Sequence, residues 1–85
     1  MPTISMFYGI LIRMFYEDHQ PPHIHAIYGD EEACYNLEGE LIKGKLPSKQ
    51  HKLVVAWIAI HQEDLQANWK LASSGEQIFK IEPLK

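Results

Sequence analysis

Pro47 divides this chain of 85 residues into two parts with different hydrophobic periodicity. Before Pro47, short apolar and alternating runs are separated by glycine-containing turns, which is typical of antiparallel strands. After it, apolar residues recur every three or four positions, as in an amphipathic helix. Ser48 is a good N-cap for this helix. The sequence therefore predicts an α+β fold, with an antiparallel meander sheet of four to five strands packed on one long C-terminal amphipathic helix that could be kinked.

The first part of the chain contains five predicted strands, at residues 4–7, 10–16, 23–28, 31–37 and 40–46. Tight turns at Tyr8-Gly9, Gly29-Asp30 and Glu38-Gly39 connect the strands of three predicted hairpins. If Gly29-Asp30 is a two-residue loop, His25 lies opposite Cys34. One face of this hairpin is then apolar and should meet the helix (Ile24, Ala26, Tyr28, Ala33 and Tyr35). The opposite face carries His23, His25, Cys34 and Asn36.

The predicted helix covers residues 49–72. Its buried stripe contains Val54, Ile58, His61, Leu65, Trp69 and Ala72, whereas His51 is expected in solvent. Gln62-Glu63-Asp64 could begin a second helix after a kink, because acidic residues favour a helix start. Gly75 is expected to terminate the helix, and residues 78–81 could add an edge strand.

The composition limits the class of protein. The chain is long enough for a single domain, residues 1–85, with a narrow margin of stability, so a partner or homodimerisation would help. The net charge of −3 argues against a dedicated nucleic-acid coat protein. The only cysteine, Cys34, excludes an internal disulfide and fits a reducing compartment. Without a bilayer-length apolar run or a basic start at Met1-Pro2-Thr3, a cytoplasmic protein without membrane contact is expected.

Three histidines, His19, His23 and His25, surround the double proline Pro21-Pro22. The prolines stop regular strand pairing and stiffen the backbone. Because alternate strand residues point the same way, His23 and His25 share a face, and His19 can fold back towards them. A histidine pair can act as general base and general acid near neutral pH, as in metal-independent RNA cleavage. The first hypothesis therefore makes His19, His23 and His25 catalytic.

Two other hypotheses explain the same cluster. His19, His23 and His25, with Cys34 or Asp18, could ligate zinc or nickel without catalysis, since imidazole and thiolate suit these metals. Alternatively, the histidines satisfy backbone groups that the prolines leave unpaired. The sequence leaves these three interpretations open, including whether the protein is an enzyme.

A group of lysines surrounds the last predicted strand and the start of the helix. It contains Lys43, Lys45, Lys49 and Lys52, and no acidic residue occurs from Leu41 to Gln62. Such a surface could bind RNA phosphates or an acidic protein, or could simply be solvated.

Several short motifs resemble those of a bacterial family known as domain of unknown function 4160. The resemblance rests on Met1-Pro2-Thr3-Ile4-Ser5, Phe7-Tyr8-Gly9-Ile10, Asp18-His19, Pro21-Pro22-His23, His25, Asn68-Trp69 and Ile81-Glu82-Pro83-Leu84. The family has no assigned activity or catalytic residue, so none is implied here. Its genes often lie beside that of another small protein, in an arrangement similar to toxin–antitoxin pairs. The resemblance thus implies a bacterial component of such a module, toxin or antitoxin, that binds a small cognate protein and potentially RNA.

Overall fold

The computed structural model describes residues 3–16 and 21–85 of the chain. A five-stranded sheet is followed by two helices: β1 (Thr3–Phe7), β2 (Ile10–Arg13), β3 (His23–Tyr28), β4 (Glu31–Asn36), β5 (Leu41–Gly44), α1 (Ser48–Ile60) and α2 (Gln62–Ser73). All neighbouring strands are antiparallel, and their order in space is their order in sequence. The predicted α+β meander is therefore confirmed.

The central hairpin has the predicted register. Ala26 pairs with Ala33 and His25 pairs with Cys34 around the Gly29-Asp30 turn. Alternate residues of each strand point to opposite faces. One face packs with the helices in a single apolar core that includes Ile12, Ala26 and Ala33. We call the other face, to which Arg13, His25 and Cys34 belong, the open face.

The long helix is interrupted at His61. The backbone of His61 has φ −110° and ψ 34°, which lies outside the helical region. The side-chain amide of Gln62 then donates to the carbonyl oxygens of Ile58, at 2.9 Å, and Leu37, at 2.5 Å. Gln62 thus satisfies a carbonyl at the kink and ties it to the sheet, while Glu63 and Asp64 occupy the first turn of α2.

Some predicted boundaries are wrong. The second strand ends at Arg13 rather than 16, and the fifth covers Leu41–Gly44 rather than 40–46. Ser48 is not the N-cap: the carbonyl of Pro47 accepts the first helical bond, from the His51 amide at 2.9 Å, so Ser48 lies inside α1 and makes no capping bond. Gly75, in contrast, terminates α2 as predicted: its amide donates to Ala72 and the next amide to Leu71.

The C-terminal segment runs beside β1 without forming the predicted strand at 78–81. The amide of Ile81 donates to the carbonyl of Ile4 at 2.7 Å. The side chain of Asn68 donates to the Phe79 carbonyl at 2.7 Å and accepts from the Phe79 amide at 3.0 Å. The segment is therefore fastened to α2 and to the outer edge of β1. Within the described residues, neither helix has the length and apolar character needed to cross a membrane.

Candidate functional site on the open face

Four reactive or charged side chains form one row across the sheet. Arg13 of β2 pairs with His25, His25 with Cys34, and Cys34 with Lys43 of β5. Neighbouring strands lie about 5 Å apart, so each member is within reach of the next. The row combines a guanidinium, an imidazole, a thiol and an ammonium group on the open face.

His25 is the centre of this row. Its Nδ1 atom lies 3.1 Å from Oε2 of Glu32 and 3.3 Å from Sγ of Cys34. The Phe15 ring meets the imidazole nearly at right angles, with ring centres 4.5 Å apart. These contacts hold the imidazole of His25 against the side chains of β4 and against Phe15.

The position of Glu32 differs from that of the orienting acid in a nucleophile triad. In such a triad, one ring nitrogen takes the nucleophile's proton and an acid orients the ring through the other nitrogen. Here Cys34 and Glu32 contact the same nitrogen, which carries at most one proton. Glu32 therefore competes with Cys34 for Nδ1 instead of directing His25 towards the thiol.

An open cavity of about 330 Å³ lies beside the row, and its lining has both charge signs. Its walls are formed by His25, Glu32, Cys34, Lys43 and Gly44. Its size would admit a side chain or a small molecule. Because Glu32 and Lys43 face it together, it is not a site of purely positive potential.

His23 has a different environment from His25. Only 6% of its surface is exposed, and its Nδ1 atom lies 2.7 Å from the carbonyl oxygen of Pro21. Its ring centre is 5.4 Å from that of Trp69 and 5.1 Å from that of His25. The contact with Pro21 is the kind that the structural hypothesis predicted, because Nδ1 can donate to a carbonyl beside the prolines. A catalytic or metal-binding role for His23 remains a prediction.

The remaining proposed ligands, His19 and Asp18, lie outside the described residues. Among residues 3–16 and 21–85, no three His, Cys, Asp or Glu side chains are grouped so that they could hold a metal ion. His25 and Cys34 do lie together, as the metal hypothesis requires. Zinc or nickel binding through His19, His23, His25 and Cys34 therefore remains a prediction that involves a residue outside the described part of the chain.

Of the four predicted lysines, only Lys43 lines the cavity. Lys43 belongs to β5, Lys45 follows it, and Lys49 and Lys52 lie on the first turns of α1. All four are exposed, and within the described part of the chain none of them forms an ion pair. We call this set the lysine surface.

Sequence analysis missed the contact between Tyr35 and His51. The hydroxyl of Tyr35 lies 2.9 Å from Nδ1 of His51, so the expectation that His51 is free in solvent is wrong. Burial raises the pKa of Tyr35, which therefore keeps its proton and can donate to the imidazole. The signal was a tyrosine on the helix-facing side of β4, since a buried hydroxyl needs a partner.

Comparison with known proteins supports the resemblance. The family model described as "Domain of unknown function (DUF4160)" matches residues 9–70. That range holds β2 to β5, α1, most of α2 and every residue that lines the cavity. No curated protein and no solved structure matches the chain.

Proposed function

The chain belongs to the DUF4160 family, and from this premise we propose that it is one component of a toxin–antitoxin-like two-gene module and acts by binding a small cognate protein. The observation that carries the proposal is the exposure of β5. Its two large apolar side chains, Leu41 and Ile42, are 46% and 48% exposed on a strand at the edge of the sheet. Apolar side chains left in water at a sheet edge are typical of a surface that a partner covers.

The size of the domain agrees with this proposal. A chain of 85 residues buries a smaller share of its surface than a larger protein does, so binding energy from a partner adds to a narrow stability margin. Leu41 and Ile42 also belong to a strand whose four residues are all exposed. Leu41 and Ile42 are consecutive residues of β5, so a partner segment that lies along this strand borders both side chains.

RNA is the other ligand that the lysine surface could bind. Lys43 lies beside His25 and Cys34, so a phosphate held there would be close to an imidazole. Glu32 opposes this, because its carboxylate faces the same cavity and would repel the phosphate. We therefore place protein binding first, and treat metal-independent RNA cleavage with His25 as acid or base as the alternative.

The proposal is tested with the small protein encoded beside this chain. Titration calorimetry should show binding to the wild type. Leu41→Asp or Ile42→Asp should weaken this binding at least tenfold, because each substitution removes an apolar contact worth about 1.4 kcal/mol or more. Ile60→Asp is the matched control, because Ile60 is 65% exposed but lies on α1. No binding by the wild type, or equal binding by all variants, would contradict the proposal.

The alternative is tested with RNA in the presence of a chelator. The nuclease version requires cleavage by the wild type and its loss in His25→Ala. Cleavage by the wild type that is no greater than that by His25→Ala would contradict the nuclease hypothesis. Binding without cleavage, abolished by Lys43→Glu, would instead leave an RNA-binding role for the lysine surface.

A further inference from the structure

We infer that the free edge of β5 binds an acidic, extended segment of the partner protein, which adds to the sheet as a sixth antiparallel or parallel strand. This inference deepens the proposed function and rests on it, because it names the chemistry of the partner and its mode of binding. It depends on three observations: the two edges of the sheet differ, the free edge carries positive charge, and the conformation of the free edge is fixed within the chain itself.

The two edges of the sheet differ in whether another segment of the chain pairs with them. The outer edge of β1 is occupied by the C-terminal segment, through the bond from the Ile81 amide to Ile4. Within the described residues, β5 pairs with β4 alone, and no backbone bond reaches it from another element. Every second residue of an edge strand directs its N–H and C=O groups outwards. β5 thus offers the main-chain groups with which β-augmentation binds a peptide.

The free edge has a local positive charge although the whole chain has a net charge of −3. Lys43 and Lys45 are exposed there, and Lys49 follows at the start of α1. Two acidic residues lie beside β5. Glu32 belongs to β4 and contacts His25 at 3.1 Å, so its carboxylate lies at the cavity, on the side of β5 away from the free edge. Glu40 accepts a bond from the Asn36 side chain at 2.8 Å.

The positive charge on β5 favours one kind of strand over another as its binding partner. In a pairing of β5 with a second copy of itself, Lys43 and Lys45 would lie close to their own counterparts, and like charges across strands are destabilising. Lysines on an edge strand are a common protection against such self-pairing. An acidic strand reverses the sign of the interaction and gains from the same lysines. The occupant that fits is therefore a strand rich in Asp or Glu rather than another copy of this chain.

The edge is also held in its binding shape before any partner arrives. Oδ1 of Asn36 accepts from the amides of Glu38, at 3.0 Å, and Glu40, at 2.8 Å, which fixes the β4–β5 turn. Gly44 ends the strand with a φ of +73°, and a Cβ atom there would collide with the carbonyl oxygen of Glu32. A fixed turn and a fixed strand end reduce the entropy lost when a peptide pairs with β5.

The test uses eight-residue peptides with blocked ends and follows backbone NMR signals of the isotopically labelled full chain. A peptide of alternating Glu and Val should shift the signals of β5 and β4, at residues 31–36 and 41–45, with an affinity that falls as salt rises. The alternating Lys and Val peptide should bind at least tenfold more weakly. A Glu and Val peptide with N-methyl groups at alternate amides keeps the charge but cannot pair, and should not bind.

Variants localise the effect. Lys43→Glu combined with Lys45→Glu should weaken binding of the acidic peptide at least tenfold. Lys70→Glu combined with Lys80→Glu makes the same charge change at exposed positions away from β5 and should leave the affinity within twofold. Circular dichroism verifies that both variants remain folded.

Several outcomes would overturn the inference. Two of them are the absence of binding of the acidic peptide at millimolar concentration and shifts centred on residues outside β4 and β5. Equal binding of the N-methylated peptide would indicate a general anion-binding surface, as for RNA, and a dimer in sedimentation that Lys43→Glu disrupts would indicate a second copy as the occupant. The proposed function fails independently, in the calorimetry with the neighbouring gene's product. If that protein binds while the acidic peptide does not, the function stands and strand addition is wrong.

Discussion

Sγ of Cys34 lies 3.3 Å from Nδ1 of His25, across the β3–β4 pair. Glu32 contacts the same nitrogen, and Lys43 completes the charged wall of the cavity. The cavity therefore holds one thiol between an anion and a cation. The electric potential at Cys34 decides which small molecules or phosphates could approach the row.

We predict that this potential can be read from two alkylating reagents. The ratio of the Cys34 reaction rates with iodoacetate, which is negative, and iodoacetamide, which is neutral, cancels the intrinsic reactivity of the thiol. Glu32→Gln should raise this ratio and Lys43→Gln should lower it, each about two- to fivefold at low salt, as expected for a charge a few ångströms away near the surface. Lys70→Gln on α2 is the control. The charged description of the cavity is wrong if all four proteins give one ratio.

His23 should matter more for stability than for binding. Its ring is buried against Trp69, and its Nδ1 atom satisfies the Pro21 carbonyl. His23→Ala should therefore cost about 2–3 kcal/mol through a cavity and an unsatisfied carbonyl, which lowers Tm by roughly 10–20 °C in a domain of this size. Affinity for the cognate protein should be unchanged below the melting transition.

A second substitution sharpens the measurement on His23. His23→Asn keeps a side-chain N–H close to the position of Nδ1, so calorimetric Tm should recover in part relative to alanine. If His23→Ala leaves Tm unchanged and removes binding, the side chain belongs to a functional surface and the structural interpretation is wrong.

Local sequence determined the sheet more fully than it determined the helices. The Gly29-Asp30 turn and the alternation around it were enough to predict the pairing of His25 with Cys34, because a slip by one residue would have turned Ala26 and Ala33 out of the core. Gln62-Glu63-Asp64 predicted a second helix after a kink, and the structure confirms this, with the break at His61 and α2 beginning at Gln62. The sequence did not predict the contact of Gln62 with the distant carbonyl of Leu37, which ties the kink to the sheet.

The candidate site shows the same limit. Strand alternation predicted that His23 and His25 share a face, but not that Trp69 from α2 would cover one ring and leave the other beside the cavity. The competition between Cys34 and Glu32 for one nitrogen depends on side-chain rotamers, which periodicity does not contain. Asn68 bonds the segment that lies beside β1, and the sequence marked this residue only as part of a resemblance.

Tyr35 should make stability depend on alkaline pH. Burial raises its pKa above the ordinary value of 10.0, so the unfolded chain loses the phenolic proton at a pH where the folded protein keeps it. The contribution is fully present below pH 10 and is lost as pH rises through the higher pKa of the folded state. Tyr35→Phe lacks this dependence and loses the bond to His51, worth about 1 kcal/mol at neutral pH.

The measurement for Tyr35 is urea unfolding of both proteins between pH 7 and pH 11. The stability advantage of the wild type over Tyr35→Phe should shrink above pH 10, by at most about 1.4 kcal/mol per pH unit. Titration of the lysines is common to both proteins and cancels. Tyr8→Phe, at an exposed turn position, should run parallel to the wild type. An advantage that stays constant to pH 11 would show that the Tyr35 hydroxyl is not protected as the structure indicates.

Asn68 should control whether the β1 edge stays closed. It is fully buried and makes two bonds to Phe79, and the Ile81 amide then reaches Ile4. Asn68→Ala leaves the amide and the carbonyl of Phe79 without these partners, which should cost about 2–4 kcal/mol. Hydrogen exchange at the amides of Phe79 and Ile81 should accelerate well beyond that of β3, and the uncovered β1 edge should promote aggregation at high concentration. Gln66→Ala, at an exposed position of α2, should leave exchange unchanged; uniform acceleration throughout the chain in Asn68→Ala would mean that Asn68 supports the whole fold rather than this edge.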